Sequence, residues 1–118
     1  MKGIDARLKN AVAANIGFSS NNTVFRVDDD DCYNSVVMLH GNAIAKRYLN
    51  ILTLDNCGYT TNVTSTRLNA VLAAFCYDIK AINKDGDTLF VNSAGDILAK
   101  NKIKLTLTLK NFNQNGVN

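Results

Sequence analysis

The clearest pattern in the chain is a two-residue alternation near its end. Ile103, Leu105, Leu107 and Leu109 take every second position, and Lys102, Lys104, Thr106, Thr108 and Lys110 take the others. Successive side chains of a strand point to opposite faces. The alternation predicts a strand over 103–109 with buried leucines and a Lys/Thr surface. A helical period appears earlier. Leu68, Val71, Leu72 and Phe75 fall at i, i+3, i+4 and i+7, one apolar stripe of a helix. They predict a helix over 64–76 with Thr64 as its N-cap. The same period in Ile4, Leu8, Ala11, Val12 and Ile16 predicts a first helix over 3–16, stopped at Gly17.

Elsewhere the apolar runs are short and β-rich. Residues 19–22 read as a polar turn and 23–27 as a strand. Residues 35–40 and 43–49, separated by Gly41-Asn42, carry a hairpin signal. Lys46 and Arg47 then fall on an exposed edge or turn. A strand follows over 51–55. Beyond the central helix, 77–82 alternates, 84–87 and 93–96 are turns, and 88–91 and 97–99 are strands. The order helix, sheet, helix, meander predicts an α+β domain: a small, mostly antiparallel sheet with the N-terminal and central helices packed on one face. It is expected to span residues 1–110, followed by a polar, mobile tail over 111–118.

Composition narrows the class. A chain of 118 residues with 47% apolar content can bury a core, which argues against wholesale disorder. Proline is absent and asparagine is abundant, which suggests many turns and caps. A net charge of +3 permits contact with nucleic acid without demanding it. No N-terminal apolar run looks like a signal peptide, and no stretch is long enough to span a membrane. Three cysteines without a Cys-x-x-Cys pair then suggest free thiols, no metal and a cytoplasmic setting.

Candidate chemistry is sparse. Asp28 to Asp31 could hold a divalent cation, form an acidic patch for a basic partner, or lie solvated in a loop. The spacing does not match a calcium loop. His40 and Cys57 could form a nucleophile pair, and Cys32, His40, Cys57 and Cys76 include the donors of a zinc site, but no spacing selects either arrangement. No catalytic role and no cofactor are expected. The strongest candidate is the loop ahead of the central helix. Tyr59, Thr60, Thr61, Thr64 and Arg67 gather hydroxyls, N–H groups and a guanidinium where an anion would be held. Arg67 is out of place there, because the positive end of the helix dipole favours acidic residues. The other reading is a capped helix whose Arg67 pairs with a nearby carboxylate. The face of Lys102, Lys104 and Lys110 could track a phosphate backbone or be a solvated surface.

Three segments carry a family likeness: residues 40–45 around Gly41-Asn42, residues 52–59 with Leu52-Thr53-Leu54 and Gly58-Tyr59, and the run from Thr61 through Thr64 to Arg67-Leu68-Asn69. Together they resemble a family of short uncharacterised bacteriophage proteins. The first helix and the C-terminal meander lie outside the likeness. The resemblance implies a phage-encoded early or accessory factor in the host cytoplasm, binding and modulating a host protein. The alternative is a nucleic-acid or nucleotide-phosphate binding module using the Arg67 cap and the lysine face. Self-association through an exposed edge strand is compatible with both.

Overall fold

Five strands that pair in sequence order follow the first helix. The computed structural model describes residues 1–28 and 34–112. Helix α1 (Ile4–Ala14) leads into β1 (Phe18–Ser20), β2 (Thr23–Val27), β3 (Asn34–Leu39), β4 (Asn42–Tyr48) and β5 (Ile51–Asp55). Helix α2 (Asn62–Ala74) comes next, then a second meander of β6 (Ile79–Lys84), β7 (Asp87–Asn92) and β8 (Ile97–Lys100). The chain returns as β9 (Lys102–Thr106) and closes in a 3-10 turn, η1 (Leu109–Phe112). The expected α+β class holds, but there are two sheets rather than one. The larger has the order β1-β2-β3-β4-β5-β9, the smaller β6-β7-β8, and every pairing is antiparallel.

Strand alternation decides which face of the large sheet is inner. Phe25, Val37, Leu39, Ala45, Leu52, Leu54 and Ile103 are buried, and they share the core with Leu8 and Val12 of α1 and Leu68, Val71 and Leu72 of α2. Helix α1 packs on α2 and over β1 and β2, while α2 also contacts β4 and β6. Phe90 and Ala81 extend this core into the small sheet. Burial therefore surrounds most of α2, with Ala70 and Ala74 also enclosed. Its alanines permit that close approach on more than one side.

Several boundaries differ from the sequence reading. Helix α1 ends before Gly17, because Asn15 takes the left-handed conformation at its C-cap and leaves Ile16 exposed. Residues 18–20 form β1 rather than part of a turn. The β3–β4 turn is His40-Gly41, with φ of 51° and 81° and Leu39 opposite Asn42. Positive φ at both central residues is the type I′ requirement, and glycine meets it without strain. Lys46 and Arg47 lie inside β4, not on an edge or turn. Arg47 is buried, its guanidinium 5.9 Å and 5.4 Å from the Phe75 and Phe112 ring centroids.

The last alternating run is a strand only as far as Thr106. The Leu107 N–H still bonds to Asn50 O in the same register, and the chain leaves the ladder at Thr108, whose N–H bonds to the Asn111 side chain. Ile103 and Leu107 are buried, Leu105 is half-buried, and Leu109 is 84% exposed. The polar tail does not begin at Asn111, whose buried side chain donates to Phe75 O. Residues 113–118 of that tail, residues 29–31 of the aspartate run, and Cys32 lie outside the described residues.

Candidate functional site

The loop between β5 and α2 is held by asparagine. Asn56 is buried, and its amide nitrogen donates to Thr88 Oγ1 and Asn101 Oδ1, both at 2.9 Å. Its amide oxygen accepts from Gly58 N–H, and its backbone carbonyl accepts from Tyr59 N–H. Thr88 Oγ1 donates onward to Asn83 Oδ1, and Asn83 Nδ2 donates to Thr61 O at 3.0 Å. A continuous chain of polar contacts thus ties the second sheet to the start of α2. Buried polar groups satisfied this fully hold one geometry, since breaking any member strands its partners.

The helix begins earlier than its stripe suggests. Thr61 is the N-cap: its Oγ1 accepts from Thr64 N–H at 3.2 Å and lies 2.9 Å from Thr64 Oγ1. Thr64 is the third helical residue, not the cap. This shift also removes the puzzle of Arg67. Counting from Thr61, Arg67 lies on the second turn, where the dipole effect has largely faded. Its Nη1 donates to Asp5 Oδ1 at 2.6 Å and its Nε to Thr23 Oγ1 at 2.9 Å. Arg67 is 8% exposed and turned toward α1 and β2. The carboxylate-paired reading of this residue describes the geometry.

The remaining candidates separate. Tyr59, Thr61 and Thr64 line one wall of a cleft of about 340 Å³, together with Val63. The opposite wall is the β3–β4 hairpin: Leu39, His40, Asn42 and Ile44, with Asn56 also lining the cleft. Thr60 is half-buried and does not line it. Tyr59 is 54% and Val63 40% exposed. Apart from His40 and the phenol of Tyr59, no ionisable side chain among the described residues lines this cleft. His40 and Val63 are additions that the sequence reading left out of the site. The usable signal for His40 was the hairpin turn, which places its side chain beside Asn22, 3.4 Å away.

The other chemical candidates are not assembled here. Cys57 Sγ donates to Ala43 O at 3.3 Å. Its pKa is raised, first by burial and then by the Asp55 carboxylate, against the smaller opposing effects of Lys46 and Lys102. A thiol held protonated is a poor nucleophile. Cys57 and Cys76 are free thiols. Among the described residues no three His, Cys, Asp or Glu side chains gather to hold a metal ion. Lys102 and Lys104 project from β9, whereas Lys110 sits in η1 and does not continue their face. Lys102 is 4.0 Å from Asp55. No helix among the described residues is long and apolar enough to cross a membrane.

The family model described as Kyanoviridae Gp96 protein matches residues 1–115, and the chain belongs to that phage protein family. No curated protein and no solved structure matches it.

Proposed function

We propose that this Kyanoviridae Gp96 family member is a non-catalytic binding protein that engages a host protein through the cleft between the β3–β4 turn and the start of α2. In this reading it acts in the host cytoplasm as an early or accessory factor, in takeover of host machinery or in evasion of host defence. The observation that carries the reading is the exposure of Tyr59 and Val63 on a concave surface backed by the Asn56 network. Exposed aromatic side chains in pockets are the usual anchors of protein interfaces. A loop already ordered before binding lowers the entropy lost on association.

The chemistry of the cleft favours a neutral partner group over an anion. Arg67, the only cation in the sequence-derived anion site, is committed to Asp5 and Thr23. What the cleft offers is the apolar surface of Leu39, Ile44, Tyr59 and Val63 beside the polar groups of His40, Asn42 and Thr61. Such a surface fits an apolar side chain flanked by backbone. Support for a binding role rather than catalysis comes from Cys57, whose thiol faces a carbonyl and is held protonated.

The test uses a partner identified by photo-crosslinking from position 59. Affinity of the purified partner is then measured for the parent protein, Tyr59→Ala and Val63→Ala. At least a tenfold loss, about 1.4 kcal/mol, is expected for Tyr59→Ala with unfolding unchanged. Undiminished binding by both variants would overturn the reading.

A further inference from the structure

The large sheet buries one face under the helices, and the register places a row of exposed cations across the other, which no helix among the described residues covers. Arg26 pairs with Val36, Val36 with Lys46, Lys46 with Thr53, and Thr53 with Lys104. The five residues therefore lie side by side across β2, β3, β4, β5 and β9. Neighbouring strands are about 4.8 Å apart, so a cation recurs about every 10 Å along a track about 20 Å long. Arg26, Lys46 and Lys104 are exposed, while Val36 and Thr53 between them are half-buried. The neutral residues keep like charges from facing one another directly. None of the three cations has an ion-pair partner among the described residues; Lys102, two positions from Lys104, faces Asp55 instead.

Two further observations belong to the same face. Tyr48 follows Lys46 at the two-residue period and is 66% exposed, so its ring stands beside the row. Arg26, Val36, Lys46 and Tyr48 also line a shallow depression of about 480 Å³ at one end of the sheet. Asp28 lies on its rim and weakens the field there.

We propose that this open face binds single-stranded nucleic acid, with Arg26, Lys46 and Lys104 tracking phosphates and Tyr48 stacking on a base. It is a separate surface from the cleft, and it does not depend on the protein-binding reading. A row of unpaired cations one residue wide complements one sugar–phosphate backbone, and an exposed aromatic ring accepts any base on its π-face. Duplex DNA suits the face poorly. The sheet is six strands wide, about 24 Å, whereas the major groove is about 12 Å wide and admits a helix or a two-stranded ribbon. The earlier candidates Arg67 and Lys110 take no part, because neither lies on this face.

The probe is a fluorescein-labelled oligodeoxythymidine, read by anisotropy against the full chain over a range of salt, with a labelled duplex of equal length in parallel. Three phosphate contacts predict a slope of log affinity against log salt of about −2 on a single strand. Lys46→Ala and Lys104→Ala should each reduce the slope by about 0.7. Tyr48→Ala should weaken binding about tenfold with the slope unchanged. Asp28→Asn should tighten binding, and Tyr59→Ala should leave it unaltered. All are substitutions at the surface, and circular dichroism checks that each variant folds. Failure of the folded parent protein to bind the oligodeoxythymidine at low salt would overturn the proposal, as it would if the face takes an acidic protein instead. So would equal binding of the duplex, or an affinity indifferent to Tyr48→Ala and to the double Lys46→Ala, Lys104→Ala variant.

Discussion

Arg67 reaches from α2 to α1 and places Nη1 2.6 Å from Asp5 Oδ1, with both side chains largely withdrawn from solvent. Its Nε also bonds to the fully buried Thr23 of β2. One guanidinium thus joins both helices to the large sheet. A residue that reads as an anion ligand in sequence is a tertiary clamp in the fold. Arg67→Ala should destabilise the protein by about 2–3 kcal/mol, since it strands the Asp5 carboxylate and the Thr23 hydroxyl. Urea unfolding measures this. A loss below about 0.5 kcal/mol would show that the clamp does not hold the helices.

Asn56 should behave similarly for the loop. Asn56→Ala removes the two side-chain donors and the one acceptor that bind Thr88, Asn101 and Gly58. A cost of about 2–3 kcal/mol is expected, with faster amide exchange at Gly58 and Tyr59. Exchange unchanged at those amides would mean that the loop is ordered by other contacts.

These two residues mark where sequence reasoning reached its limit. Periodicity located both helices and most strands, because burial of one face imposes a period whatever the neighbours are. It could not place the helix ends. Asn15 and Cys76 take φ of 57° and 59° and end the helices without glycine. Nor could it foresee what the asparagines do. Asn56, Asn69, Asn101 and Asn111 join segments far apart in sequence rather than only making turns. Asn69 is a clear case, since its amide pairs with both the N–H and C=O of Ala81 on the outer edge of β6. Of the site, Tyr59, Thr61 and Thr64 were legible as a capped loop. His40 and Val63 join them only through the hairpin's position across the cleft, which no local pattern encodes.

Cys76 offers a stabilising substitution. It is exposed and left-handed just beyond α2, a position that favours glycine. Cys76→Gly should raise stability by about 1 kcal/mol, measured as a higher urea midpoint with an unchanged slope. A lower midpoint would show that the thiol makes contacts worth more than the relieved strain.

Alkaline pH should loosen the fold. Burial raises the pKa of Tyr77, and burial followed by Asp55 raises that of Cys57. A group whose pKa is higher when folded contributes stability below its unfolded pKa and loses it as pH climbs through the folded value. Stability should therefore fall above about pH 8.5 for Cys57 and about pH 10 for Tyr77. At neutral pH iodoacetamide should modify Cys76 faster than Cys57, as peptide mass mapping over time would reveal. Preferential labelling of Cys57 would contradict its protonated state.

The most direct test of the cleft as recognition surface is crosslinking during infection. A photoreactive amino acid is placed at position 59, and in a parallel chain at position 82, where Ile82 is exposed on the small sheet. The expected result is one host protein crosslinked from position 59 and not from 82, with the crosslink lost when Val63→Glu puts a charge into the cleft. A partner captured equally from both positions, or still captured from position 59 after Val63→Glu, would contradict it.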